Sequence, residues 1–330
     1  MLPTASTTME RFSLLLLLLA STSQLVSGYV PSIAPELATP WRTNPFKTEG
    51  LDIELPDFDH LFDKITTVSP LAHSVMQRTH VGKGLDGIAD HSSPFKWKKV
   101  ESGPRSRTVH SIDKVDNFEG KSAPLFRFRS TLKGPCVGEY FGKYIVDVVE
   151  RRKWDSQVDH VEELYPIQDL DAANIAMGFG RYGDCSRLGV GYGKTKAGFG
   201  ITPREQLFLY GLQDFADGSC VIWGTEMSDK YNYLLPGDKR ETRARSHLFS
   251  ATLTPTGEDT FDIEYVLQLE IGGNIPLFLT NPVMIDTVKS LFRVAGHEFG
   301  QGSEGPIGEY LQEKARIDSL ENRSSLLLAV

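Results

Sequence analysis

Between Phe261 and Ile271 the chain reads FDIEYVLQLEI, so that Phe261, Ile263, Tyr265, Leu267, Leu269 and Ile271 alternate with mostly polar residues. A side-chain period of two describes a strand with one buried face and one wet face. A few residues on, the period changes. Met284, Val288, Leu291 and Ala295, with Phe292 alongside, recur at helical spacing. That stripe needs a large apolar surface to cover it. Pro282 suits a first helical turn, so the spacing predicts a helix from Pro282 to about Glu298. A half-buried strand is thus followed closely by an amphipathic helix.

The residues upstream supply the rest of the sheet. FKWKKVES from Phe95, RTVHSIDKV from Arg107 and PLFRFRSTL from Pro124 read as strands, each bounded by Gly, Pro or Asn. CVGEYFGKYIVDVVERRKWD reads as one helix with Val137, Phe141, Ile145 and Val148 on one face, closed by Trp154 and Asp155. HVEELYPI, SRLGVGYGKT, EQLFLYGLQDF and CVIWGTEM are further short strands. RARSHLFSATL is another, placing Arg243, Arg245, His247 and Phe249 on one face. Ahead of the sheet, Phe58, Leu61, Phe62, Ile65 and Val68 predict a helix to about Gln77, ended or kinked at Pro70. Gly82 to Ser93 reads as a polar loop, and 300–330 as a flexible tail with one weak helix.

Composition narrows the function classes. The net charge of -8 argues against a sequence-independent nucleic-acid binder, whose affinity comes from cations neutralising phosphates. Cys136, Cys185 and Cys220 are odd in number and widely spread, which indicates neither a disulfide framework nor a metal site. GFGRYG (Gly178, Gly180, Gly183) satisfies GxGxxG but lacks the strand-to-helix context of a dinucleotide site, so no cofactor is expected. LGVGYGKT has Leu188 where a phosphate loop needs Gly. No GxSxG surrounds a serine, GHEFG at His297 lacks the second His of a zinc helix, and Asn322 lies in an NRS sequon. Catalysis has no visible carrier.

At the amino end, Met9, Glu10 and Arg11 precede the leucine-rich run Phe12 to Ala20, with Val26, Ser27 and Gly28 before Tyr29. This is the order of a signal peptide over 1–28, and its apolar run is too short to span a bilayer. YVPSIAPELATPWRTNPFK follows, rich in Pro, Ser and Thr. Residues 29–50 resemble the transit-like half of the two-part presequence used by algae with complex plastids. A plastid and plain secretion both remain open destinations.

ERRKWD (Glu150 to Asp155), a Gly-rich loop running into TPRE (Thr202 to Glu205), CVIWGTEM, TRARS from Thr242, and GGNIPLFLTN (Gly272 to Asn281) fall in a recognisable order. Together they resemble the StAR-related lipid-transfer (START) domain, of the helix-grip, Bet v 1-like superfamily. Pro203-Arg204-Glu205 departs from the family's Arg-Asp-aromatic. The resemblance spans 82–299, with 51–81 as an amino-terminal helical segment. It implies an α+β helix-grip fold: a curved antiparallel sheet with a long carboxy-terminal helix over an internal cavity. It further implies a non-enzymatic lipid, sterol or pigment carrier or sensor that touches a membrane surface transiently.

Apolar wall candidates are then Trp223, Tyr265, Leu267, Phe278, Met284, Val288 and Phe292, which would equally fill an ordinary core. Candidates to fix a head group are Glu226, Arg243, Arg245 and His247, which would equally suit a solvated strand face. KTKAGFGITP suggests a basic gate loop carrying Lys194, Lys196, Phe199 and Arg204, or a plain surface turn. The competing function is a cavity enzyme of the same superfamily, a cyclase or hydrolase.

Overall fold

Alternating hydrophobicity builds ten strands: β1 (Lys98–Ser102), β2 (Ser111–Val115), β3 (Leu125–Lys133), β4 (Val158–Pro166), β5 (Asp184–Thr195), β6 (Arg204–Asp214), β7 (Cys220–Glu226), β8 (Thr242–Arg243), β9 (Arg245–Gly257) and β10 (Thr260–Glu270). They form one sheet in the order β1-β2-β3-β10-β9-β7-β6-β5-β4, with β8 added alongside β6. Neighbours on the main path are antiparallel, and β8 runs parallel to β6. The computed structural model describes residues 53–77, 94–103, 108–167, 170–178, 181–197, 201–235, 241–273 and 275–328. The signal-like and transit-like stretches, the expected loop Gly82–Ser93 and Phe199 lie outside them.

The register at the centre of the sheet sets its faces. Tyr265 lies opposite Ala251 and Phe128, and Leu267 opposite Phe249 and Phe126, so all six belong to one apolar face. Two glycines seat the rings on this face. A Cβ on Gly224 would meet the Phe249 ring at 2.0 Å, and one on Gly191 the Phe208 ring at 2.3 Å.

The other face was expected to be wet, and it is not. Asp262, Glu264 and Gln268 of β10 are buried, because the amino-terminal helices α1 (Phe58–Val68) and α2 (Pro70–Met76) belong to the layer over them. Ser69 ends α1 and caps α2, and Pro70 occupies the first turn of α2, where its missing N–H costs nothing. The Glu264 carboxylate accepts from Ser69 Oγ (2.6 Å), Leu71 N (3.1 Å) and Arg129 Nε (2.7 Å). Gln268 Nε2 donates to the carbonyls of Phe118 and Ala123, both at 3.1 Å. The polar half of the FDIEYVLQLEI pattern thus holds a second layer instead of facing solvent.

Three helical expectations need correction. The helix expected to run unbroken to Trp154 is two: α3 (Gly138–Val146) and α4 (Val148–Arg152). Asp147 separates them in an extended conformation, and its carboxylate accepts from Val149 N (2.7 Å) and Glu150 N (3.1 Å). A capping aspartate outcompeted the apolar spacing. After the short α5 (Leu170–Ala176), the long helix α6 spans Leu277–Phe299, so Pro282 sits inside it instead of opening it. The tail, expected to be flexible with one weak helix, contains the long helix α7 (Pro306–Leu328), whose first turns dock on the domain. Ile307 is fully buried, Lys314 pairs with Glu139 at 2.5 Å, and the Lys143 ammonium sits 4.2 Å from the Tyr310 ring centre.

Candidate functional site

The apolar face of the sheet and the inner stripe of α6 meet in one hydrophobic cluster that includes Phe126, Phe128, Phe208, Phe249, Tyr265 and Leu267 from strands. Met284, Val288, Leu291, Phe292, Ala295 and Phe299 come from the helix. The two ends of this interface differ. Around the last turns of α6, Phe261, Ile263, Leu291, Phe292, Ala295 and Phe299 are all 0% exposed. The Phe299 ring lies 5.1 Å from Phe261, and Glu298 accepts from Tyr144 OH (2.5 Å), Tyr140 OH (3.2 Å) and Lys153 Nζ (2.9 Å). Burial alone would raise the Glu298 carboxyl, but those hydrogen bonds and the Lys153 charge hold it below its ordinary range.

Elsewhere on the same face small accessible surfaces remain, 6% at Tyr265, 8% at Leu267 and 7% at Met284. The first turns of the helix carry Leu277, Phe278, Leu279 and Val283, all exposed and Phe278 most so, at 73%. The exposed apolar residues thus fall on the same helix whose later turns are buried.

Tyr265, Leu267, Met284, Val288 and Phe292 share this one cluster. Two other wall candidates do not. Trp223 alternates with Ile222 and Gly224, which belong to the apolar face, so its ring points the other way, against Phe58 (5.8 Å) and Phe62 (5.9 Å). Phe278 lies in the first turn of α6, which begins earlier than expected, and faces solvent.

The head-group candidates divide as well. The strand breaks at Ala244, so Arg243 belongs to β8 beside Glu205, not to the strand of Arg245 and His247. Glu205 alternates with Gln206 and Phe208, which puts it and Arg243 on the face away from Phe208. Burial, the neighbouring Glu241 carboxyl and its charge raise Glu205 to about 7, against the pull of Arg243 and Lys194. Glu226, Arg245 and His247 do converge: His247 Nδ1 is 2.6 Å from Glu226, its Nε2 is 3.0 Å from Glu270, and Arg245 bridges Glu226 (3.2 Å) and Asp229 (2.8 Å). The hydrogen bonds from His247 and Arg245 bring Glu226 down to about 2, and Glu226 foremost, then Glu270, raises His247. This is a closed charge network at the strand ends.

Of the gate-loop candidates, Lys194 pairs with Glu241 at 2.5 Å and Lys196 donates to the Ser156 carbonyl at 3.0 Å. Arg204 is buried, with Nε donating to the Ile271 carbonyl (3.1 Å) and Nη1 to Thr202 Oγ1 (2.8 Å). It ties the loop to the chain entering α6 and is not a membrane-facing cation.

Sequence reasoning missed several polar groups beside the apolar face. Arg187 on β5 donates to Glu163 on β4 (2.8 Å) and to Tyr210 OH on β6 (3.2 Å), and Tyr210 OH donates to Glu163. No short motif joins three strands, so only the register reveals the trio. Arg151 donates to Asp155 at 3.1 Å, and both carry charge within reach of the buried Tyr265 phenol, which burial pushes up. That pair was legible in RRKWD as a spacing of four. Among the described residues no group of His, Cys, Asp and Glu side chains is placed to hold a metal ion, and no helix is long and apolar enough to cross a membrane.

A large curved antiparallel sheet closed over by its carboxy-terminal helix is the helix-grip architecture. The backbone is similar to human STARD10 (17% identity over 76% of this chain and 84% of that one, TM-score 0.48). It is similar also to human StAR-related lipid transfer protein 5 (16%, 70% and 94%, TM-score 0.47). A third similar structure is a STAR-related lipid transfer protein from Xanthomonas axonopodis (20%, 60% and 97%, TM-score 0.42). No family model and no curated protein matches the sequence.

Proposed function

We propose that the protein is a START-like carrier or sensor that holds an apolar ligand between the sheet and α6 and exchanges it at a membrane surface. The observation that carries this reading is the asymmetry of α6. Its last turns are locked into the core, whereas its first turns present Leu277, Phe278, Leu279 and Val283 to solvent. Burying a lipid chain there gains about 0.8 kcal/mol per CH2, which offsets extraction from a bilayer. The exposed turn supplies a site for transient membrane contact.

The enzyme reading has less support, since Glu226 and His247 are engaged with each other and with Arg245 and Glu270. The charged start and leucine-rich run support entry into the secretory route, and the transit-like stretch 29–50 supports a complex plastid as the destination, with secretion or an endomembrane lumen as the alternative. The test is incubation of the protein with mixed-lipid vesicles followed by native mass spectrometry. A lipid-bound mass that vanishes when Met284 and Leu267 are both replaced by Trp is expected. A protein that never carries an apolar ligand ends the reading.

A further inference from the structure

β8 is only two residues long, and it sits at a joint. Two backbone hydrogen bonds hold it to β6, from Thr242 N to the Pro203 carbonyl (3.3 Å) and from Ala244 N to the Glu205 carbonyl (2.8 Å). The chain entering α6 passes so close that a Cβ on Gly272 would collide with the Arg243 carbonyl. Arg204, the neighbour of Glu205, donates to the Ile271 carbonyl of that same entering chain (3.1 Å). Loosening β8 therefore loosens the start of the helix that closes over the apolar face.

The side chains at this joint are poorly matched. Glu205 is buried opposite Arg243 in the β6–β8 pair, and its carboxyl is in hydrogen-bonding contact with that of Glu241, the residue just ahead of β8. Lys194 of β5 pairs with Glu241 Oε1 (2.5 Å), yet Oε2 of Glu205 and Oε2 of Glu241 are buried and reached by no N–H or O–H among the described residues. Arg243 attracts Glu205 by its charge, but its Nε and Nη1 are buried without acceptors. Tyr192 of β5 completes the surroundings, its phenol pushed up by burial foremost and then by the two glutamates and Asp159. The charges of Arg245, Asp229 and Glu226 reach the pair only through Arg243. Two buried carboxyls in contact stay together only while a proton lies between them.

We propose that the proton shared by Glu205 and Glu241 is a latch on this joint. While it is held, β8 stays on β6 and α6 stays closed; its release to solvent lets β8 and the chain entering α6 open, which speeds ligand exchange.

This rests on the carrier reading and adds its regulation. Burial foremost, then Glu241, raises the Glu205 carboxyl from 4.5 to about 7 in the closed joint, and in an opened joint water restores the ordinary value. The closed state is therefore fully favoured below 4.5 and loses that advantage as pH rises through about 7.

The test is hydrogen–deuterium exchange of the full chain at a pH of about 5.5 and of about 7.5, with the intrinsic pH dependence of amide exchange divided out. Protection of the Thr242 and Ala244 amides should fall at least about tenfold at the higher pH. Uptake of lipid from mixed-lipid vesicles, followed in time by native mass spectrometry, should quicken several-fold over the same interval. Glu205→Gln keeps a donor toward Glu241 at every pH and should hold both readouts at their low-pH values. Glu241→Gln should do the same, and His247→Gln should leave the response intact. Protection that does not change with pH, a response that survives in folded Glu205→Gln or Glu241→Gln, or loosening without faster uptake overturns the latch and leaves the carrier reading intact. Loosening with no lipid taken up at any pH fails the carrier reading and leaves the proton-linked opening of the joint standing.

Discussion

The two ends of α6 are made of similar residues and behave differently. At Phe299 the ring is enclosed by Phe261, Phe141 and Tyr140, and the preceding Glu298 is held by two tyrosines and a lysine. At Phe278 an equally large ring meets water. What separates them is what lies beneath. Tyr140 and Phe141 of α3 and Phe261 of β10 pack around the last turns, whereas the first turns leave Leu277, Phe278, Leu279 and Val283 exposed. Hydrophobicity of a residue on this helix therefore says little about its role, and position along the helix says a great deal.

The largest effect is expected at the enclosed end. Phe299→Ala should cost about 3–5 kcal/mol of unfolding free energy in a urea titration, the usual loss for a fully buried Phe. If the loss were below about 1 kcal/mol, the two ends would not differ as described.

A smaller, pH-dependent effect belongs to the charge network around His247. His247 titrates above its ordinary 6.5 in the folded chain, so its stabilising charge is fully present below 6.5 and is lost as pH rises through the raised value. The melting temperature should decline as pH rises through that upper window. His247→Gln should remove this decline, and a variant that keeps it would show that the network is not its origin. Phe278→Ser should be the mildest for the fold, changing stability by less than about 0.5 kcal/mol. Co-sedimentation with vesicles should nevertheless fall several-fold. A stability loss as large as that of Phe299→Ala would mean the exposed turn is part of the core.

The central hairpin and the stripe from Met284 to Ala295 were legible because a single period ran long enough to fix both element and buried face. The misreadings share one cause, local signals overruled by distant partners. Trp223 looked like a wall residue because strand periodicity marks two faces without saying which is which, and only Phe58 and Phe62 decide. The polar residues of β10 looked solvated because nothing near them in sequence announces that Ser69 and Leu71 will claim Glu264. Arg243, Arg245 and His247 looked coplanar until the break at Ala244. The trio of Glu163, Arg187 and Tyr210 had no local signal at all, since each member lies on a different strand.

Pro282 has no amide hydrogen to give to the Phe278 carbonyl one turn earlier, so α6 lacks a rung near its exposed start. In deuterium labelling this helix would therefore not exchange as a unit. Amides of Leu277 to Asn281 would label early, while those from Leu291 onward would label only as slowly as the whole domain opens.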